Sequence, residues 1–337
     1  MTRFLPTASL RTLQHRAHLI AALRTFFNDA GYWECETPIL SRDIVVDANL
    51  DPFITTDHRG RTMYLQTSPE AGMKRLLAAG ATSIFQVSRV MRKGEVGERH
   101  NPEFTMVEWY RAGDTHHDQM DFVERLVRHV CEEGSRLSGE VCDLETPFWR
   151  QPFERLTYDD AFKRHAGTRV LNLTASQLAG LARAQGVSAP ESLAPDDRDG
   201  WLNLLLAELV EPHLGRERPV FLHDYPASQA ALAIIREEPD RPAVAERFEL
   251  YVAGLELCNG YHELTDPEEL TLRTQRERAI RRAAGHADLP GASLLEQALQ
   301  SGLPPCCGVA LGLDRLIMTA LNCLDIREVI PFPDDRC

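Results

Sequence analysis

Two β-prone runs, Ile84 to Val90 and Phe104 to Tyr110, flank a polar loop from Arg92 to Pro102 that holds Arg92, Lys93, Arg99 and His100. Apolar runs of this length joined by a polar segment predict an antiparallel hairpin with a long basic loop. Phe248 to Val252 and Leu255 to Cys258, joined by Ala253-Gly254, predict a second hairpin with a two-residue turn. Helices frame these strands. Residues 13 to 30 place Leu13, Ala17, Ile20, Leu23 and Phe27 at helical spacing before Gly31. Thr67-Ser68-Pro69-Glu70 reads as a helix start with Gly80 as its stop, and Asp266-Pro267-Glu268-Glu269 as the cap of a helix ending near Gly285. Trp33 to Leu40 reads as an edge strand because it contains Pro38. The order predicts an α+β fold with an antiparallel β-sheet flanked by helices.

Residues 135 to 215, rich in Ala, Pro, Asp and Arg, read as a helical insertion within a single domain over 1 to 337. The chain carries 37 basic and 50 acidic residues, a formal charge of −13. That balance argues against a protein built to coat a phosphate backbone and suits a cationic substrate or partner. Eight cysteines, at 35, 131, 142, 258, 306, 307, 323 and 337, have none of the spacings of structural zinc sites. Scattered through apolar segments and with no export signal, they point to buried reduced thiols in a cytoplasmic protein. No apolar run is long enough to span a bilayer, so no membrane partner is expected.

Common nucleotide and hydrolase signatures are absent, including G-x-x-x-x-G-K-[ST], G-x-S-x-G and H-E-x-x-H. Three other segments carry chemistry. The first runs Arg92-Lys93-Gly94-Glu95 and then from Arg99-His100-Asn101-Pro102-Glu103-Phe104 to Glu108-Trp109-Tyr110. An arginine at a strand end offers a rigid fork for a phosphate. The second, Gly308-Val309-Ala310-Leu311-Gly312-Leu313-Asp314-Arg315, is a glycine-bounded strand entering a helix, where the backbone can approach a flat ligand and Arg315 can cover it. The third is Tyr32 to Ser41, with Glu36-Thr37-Pro38.

In this order the segments resemble motifs 2, 3 and 1 of the class II aminoacyl-tRNA synthetases, with motif 1 first in the chain, and in particular the lysyl-tRNA synthetase group. Thr67-Ser68-Pro69-Glu70 with Lys74-Arg75-Leu76-Leu77 is similar to that group's amino-acid-binding helix, and Glu256-Leu257-Cys258-Asn259-Gly260-Tyr261-His262-Glu263 to its ATP and magnesium strand. The motif 1 helix starts near residue 13, which leaves no room before it for the anticodon-binding OB domain. The chain therefore looks most like the elongation factor P lysine ligase family, the truncated lysyl-tRNA synthetase paralogues. Tyr225 to Ala233 and Glu328 to Pro333 share in that likeness.

The resemblance implies ATP-dependent activation of lysine, preferably (R)-β-lysine, as an adenylate, and transfer to a lysine of elongation factor P without tRNA. It implies a homodimer built through motif 1. Amino-acid contacts fall on Ser68, Pro69, Glu70, Glu108, Tyr110, Glu263 and Ala310, and ATP contacts on Arg92, Lys93, Gly94, Glu95, Asn101, Phe104, Glu256, Leu257, Gly312 and Arg315. Arg92 and Arg315 take the catalytic roles, Phe104 stacks on adenine opposite Arg315, and Glu256 and Glu263 hold Mg²⁺. These two glutamates are seven positions apart, an odd spacing that would face them oppositely in an unbroken strand, and Gly260 is the expected break. A substrate with two ammonium groups calls for several carboxylates and a phenol, which Glu70, Glu108, Tyr110 and Glu263 supply.

Two departures stand out. Ala310 replaces the glycine of lysyl-tRNA synthetases, and Lys93-Gly94-Glu95 follows Arg92 where that group has Asn-Glu, so the acidic role falls on Glu95 or on the Gly94 backbone. Other functions remain open from sequence: an adenylating enzyme with a tRNA or small-molecule acceptor, a non-catalytic regulatory paralogue, and an asparagine synthetase-like ligase. The carboxylate-rich pocket speaks against the last.

Overall fold

The computed structural model describes residues 4–139 and 146–337, which form two compact units. The first comprises Met1–Asp143 and Glu263–Cys337, the second Leu144–His262. The first segment of the first unit holds α1 (Leu10–Asp29), β1 (Trp33–Glu34), β2 (Leu40–Ser41), β3 (Ile54–Thr56), β4 (Thr62–Leu65), α2 (Glu70–Ala78), β5 (Ser83–Met91), β6 (Glu103–Ala112) and α3 (His116–Ser138). The second unit follows with α4 (Pro147–Arg150), β7 (Glu154–Thr157), α5 (Tyr158–Ala166), α6 (Ala175–Ala184), α7 (Arg198–Leu205), β8 (Val220–Pro226), β9 (Ile235–Arg236), β10 (Val244–Val252) and β11 (Leu255–His262). The chain then returns to the first unit with α8 (Pro267–Ala283), α9 (Ser293–Gln300), β12 (Cys306–Gly312) and α10 (Leu313–Leu321).

In the first unit β5, β6 and β12 are antiparallel neighbours, with Ile84 across from Tyr110 and Tyr110 across from Gly308. Ser9 caps α1 by accepting from Thr12 N, and its buried stripe of Arg16, Leu19, Leu23 and Phe27 meets the sheet. Phe27 stacks on Phe85 at 4.5 Å between ring centres and meets Trp109 edge-on at 5.2 Å. Helix α3 opens with a capping box at Thr115 and Asp118 and packs Phe122 into the same aromatic cluster.

The expected strand from Trp33 to Leu40 is split. Only Trp33 and Glu34 pair with β5, in parallel, while Leu40 and Ser41 pair with β4 in a separate small sheet. Pro38, which has no N–H to donate, lies in the gap. The α+β class holds, but the strands are mixed: β7 also pairs in parallel with β8. Parallel neighbours need a long crossover, and here α5 to α7 supply it. The stretch 135 to 215 therefore contains β7 as well as helices, and 140–145, with Cys142, lies outside the described residues.

In the second unit β10 pairs with both β8 and β11, and Ala253-Gly254 turns the hairpin with both φ angles positive, at 52° and 78°. The break in alternation expected at Gly260 lies elsewhere. Gly260 pairs regularly with Phe248, whereas Leu250 faces Cys258 and Tyr251 faces Glu256, so Leu257 is the extra residue of a β-bulge. Gly260 serves packing instead, since a Cβ there would overlap the Phe248 ring. Of the cysteines described, Cys35, Cys131, Cys258, Cys306 and Cys307 are buried, Cys323 is half-buried and Cys337 is exposed. Among the described residues no helix is long and apolar enough to cross a membrane.

Candidate active site

The first unit gathers carboxylates at the start of α2. Alternation along β6 puts Glu108 and Tyr110 on one face, and Tyr110 Oη donates to Glu108 Oε1 at 2.6 Å. Ser68 Oγ donates to Glu108 Oε2 at 2.6 Å and accepts from Glu70 N at 3.0 Å, so one hydroxyl fixes both the carboxylate and the first turn of α2. Pro69 is the N-cap of that helix. Across the sheet from Glu108 lies Ala310, half-buried.

Lys74 lies one turn beyond Glu70. Its ammonium contacts Glu70 Oε1 at 2.6 Å and Glu263 Oε2 at 2.5 Å, and the residue is 1% exposed. Glu263 leaves the end of β11 and is anchored by its N–H to Cys306 O at 2.9 Å. Burial pushes Glu108 up to about 7, reinforced by Glu70, with the hydroxyls of Ser68 and Tyr110 opposing. Burial pushes Glu263 up to about 8 although Lys74 opposes it. Lys74 is held well above its ordinary value: burial works against its charge, but Glu263 and Glu70 together outweigh it. Of the three charges, the ammonium facing two carboxylates is the most secure.

A second cluster forms at the basic loop between β5 and β6. The Arg92 guanidinium lies 5.1 Å from the centre of the Phe104 ring, donates from Nε to Thr67 O at 3.3 Å, and approaches Glu95 at 3.6 Å. Phe104, the ring expected to stack on adenine, carries Arg92 over one face here. Glu95 stands beside Arg92, while Gly94 bends the loop with φ +87°. Lys93 N donates to Asp51 O at 2.8 Å, and the buried Arg281 of α8 holds the loop ending at Asp51 by donating to Asp47 O and Leu50 O at 2.9 Å each. The Asn101 amide ties the loop together, donating to Glu103 O at 2.7 Å and accepting from Asp334 N at 2.9 Å.

Gly312 caps α10, and Arg315 on its first turn donates from Nη2 to His100 Nε2 at 2.6 Å and from Nε to Arg99 O at 3.3 Å. Desolvation and this guanidinium lower the His100 pKa, which suits an imidazole that accepts. Glu256 and Leu257 stand on β11 in the second unit, Glu256 half-buried and Leu257 buried.

The first unit thus brings together Ser68, Glu70, Glu108, Tyr110 and Glu263, and Arg92, Glu95 and Phe104 in a neighbouring group. One expectation fits poorly. Glu263 is 1% exposed and ion-paired to Lys74, an environment unlike that of a Mg²⁺ ligand, which works beside the metal's retained waters. Half-buried Glu256 retains the donor chemistry a hard cation requires. Two contributors stand in the quoted motifs but had no role of their own from sequence. Lys74 lies in the segment likened to the amino-acid-binding helix, yet its i+4 spacing from Glu70 is one that surface pairs share. Gly308 opens the motif 3 segment, where sequence alone does not show what its missing side chain makes room for.

Residues 4–336 match the model of the tRNA synthetases class II (D, K and N). The chain is 43% identical over 337 residues to the elongation factor P--(R)-beta-lysine ligase of Klebsiella pneumoniae (strain 342), covering 98% of this chain and 97% of that protein. It is 43% identical over 336 residues to the protein of that name from Haemophilus ducreyi, covering 98% and 96%. It is 44% identical over 336 residues to that from Salmonella paratyphi B, covering 98% and 97%.

Proposed function

This chain belongs to the class II tRNA synthetases of the aspartate, lysine and asparagine group, and on that premise we propose that it is an AMP-forming ligase that activates lysine, preferably (R)-β-lysine, and transfers it to the ε-amine of a lysine on elongation factor P. The observation that carries the reading is the pocket of Glu70, Glu108 and Glu263 with the Tyr110 phenol, whose carboxylates complement a substrate with two ammonium groups. The name shared by its relatives supports the same donor and acceptor.

In the first step a substrate carboxylate oxygen attacks the α-phosphorus of ATP and pyrophosphate leaves. In the second the acceptor amine attacks the acyl carbon and AMP leaves. Arg92 opposes charge developing on the α-phosphate, and Arg315 covers the nucleotide. Lys93, Gly94, Glu95, Asn101, Phe104 and Gly312 shape its binding, Asn101 through the loop it ties. Glu256 and Leu257 keep the nucleotide roles the resemblance implies. Mg²⁺, when bound with the triphosphate, supplies charge neutralisation, with Glu256 as the fitting ligand. Aminolysis of an adenylate needs alignment rather than a protein nucleophile, so none is assigned.

The reaction takes place in the cytoplasm and does not use tRNA. Trp33, Ile39, Leu40 and Ile54 are large exposed apolar residues in and beside motif 1, which supports a homodimer through that face. Light scattering giving a stable monomer would remove this part of the reading. The whole is tested by ATP-dependent mass gain on purified elongation factor P, with lysine and (R)-β-lysine offered separately and tRNA omitted. Gain of one lysyl unit on a single lysine is expected. Pyrophosphate exchange with lysine but no mass gain would keep the adenylation and reject the acceptor.

A further inference from the structure

Lys74 is the one cation within ion-pair distance of Glu70 and Glu263 among the described residues, and it is sealed from solvent. A lysine is rarely buried so fully unless its charge is used, because an ammonium in a low-dielectric interior must be matched by fixed acceptors. Here it draws one oxygen from each of two carboxylates that arrive from distant parts of the chain, one on α2 and one after β11. Among the described residues no donor bonds the second oxygen of either carboxylate, whereas both oxygens of Glu108 are taken by Ser68 and Tyr110. The pocket thus offers two acceptors to which no described donor is bonded, Glu70 Oε2 and Glu263 Oε1, the latter lying against Gly308.

The same ammonium sets the charge count. Fully ionised, Glu70, Glu108 and Glu263 carry three negative charges, and Lys74 leaves a net two. A substrate with two ammonium groups cancels these. One with a single ammonium leaves a carboxylate that either keeps its proton, forfeiting an ion pair, or stays charged and unmatched, which is costly.

We propose that Lys74 is a positioning residue for the amino-acid pocket, an internal counter-ion that orients Glu70 and Glu263 and makes the site select substrates carrying two ammonium groups. This role rests on the functional reading above and adds to it a residue that touches neither ATP nor the reacting carboxylate.

The test is amino-acid-dependent ATP–pyrophosphate exchange by the full chain as wild type, Lys74→Met and Lys74→Ala, with melting temperatures recorded. Lys74→Met keeps the apolar stem and removes the charge. It is expected to raise the KM for (R)-β-lysine or lysine about tenfold or more while the KM for ATP stays within about twofold. In Lys74→Ala, ethylammonium is expected to lower the amino-acid KM toward the wild-type value, and n-propanol, a neutral molecule of similar shape, is not.

An unchanged amino-acid KM in Lys74→Met overturns the role. So does rescue by n-propanol equal to that by ethylammonium, or a parallel rise in both KM values, since each marks a packing role. If Lys74→Met fails to fold, Lys74→Gln, which is polar but uncharged, is read by the same criteria. Wild-type chain with no exchange on either diamino acid overturns the functional reading itself, an outcome distinct from normal exchange with insensitive variants.

Discussion

Gly308 stands directly across the sheet from Tyr110, and its missing side chain is what lets the phenol ring lie against β12. A Cβ at this position would overlap both the Tyr110 ring and Glu263 Oε1. Neither neighbour can yield freely, because Tyr110 is bonded to Glu108 and Glu263 is paired with Lys74. Gly308→Ala should therefore displace two pocket walls at once. Overpacking of this kind costs about 1–3 kcal/mol. The expected result is an amino-acid KM raised about tenfold in pyrophosphate exchange, with ATP KM little changed. Wild-type kinetics in the variant would mean the phenol has more freedom than its bonds imply.

Asp314 shows that a motif residue beside the site can serve the scaffold. Its carboxylate pairs with Arg16 of α1 at 2.6 Å and accepts from Thr105 N at 2.8 Å, while Arg16 also donates to Thr105 Oγ1 and Val329 O. Both side chains are buried, so Asp314→Ala leaves an uncompensated guanidinium inside the protein. Breaking a buried pair from one side costs about 3–5 kcal/mol. The variant should lose that much stability in denaturant unfolding. Unfolding at the wild-type midpoint would show that Arg16 finds another partner.

What could be read from sequence follows the range of the interactions involved. The hairpins, the Asp266 cap and the α1 stripe depend on neighbours a few residues apart, and each is present. Glu70, Glu108, Tyr110 and Glu263 were legible because alternation on β6 and the helix start are local patterns that a known family also carries. Lys74 as a buried counter-ion was not, since its second partner is Glu263, far along the chain. The parallel pairing of β7 with β8 was hidden for the same reason. The Leu257 bulge could not be told from a break at Gly260, because an odd spacing reports that alternation fails somewhere between the glutamates and not where.

Glu108 and Glu263 give the pocket a pH dependence whose sign is fixed by burial. Both are raised, to about 7 and about 8, above an ordinary carboxylate value of 4.5. Between these limits the folded chain binds more protons than the unfolded one, so their contribution to stability is fully present below about pH 4.5 and is lost as pH rises through about 7 and 8. Glu211 and Glu277 are also raised by burial and act in the same direction. A substrate with two ammonium groups needs the pocket carboxylates ionised. Its binding should release protons near neutral pH, and its KM should fall from pH 6 to pH 8. Calorimetry in buffers of different ionisation enthalpy measures the release directly, and a binding heat independent of buffer would contradict it.

Ala310 faces Glu108 across the β6–β12 ladder, so its methyl lies beside a carboxylate whose two oxygens are already fixed by Ser68 and Tyr110. A change at that wall acts on the shape of the pocket rather than on its charge. α-Lysine and (R)-β-lysine carry the same charges and differ in where one amine sits, and one methyl in a pocket wall is worth about 1–3 kcal/mol of discrimination. Ala310→Gly should shift the ratio of kcat/KM toward α-lysine by about tenfold or more. The two isomers, assayed separately by pyrophosphate exchange, give that ratio without the acceptor protein. An unchanged ratio would move the discrimination to Glu70 and Glu263, the carboxylates that each keep an oxygen to which no described donor is bonded.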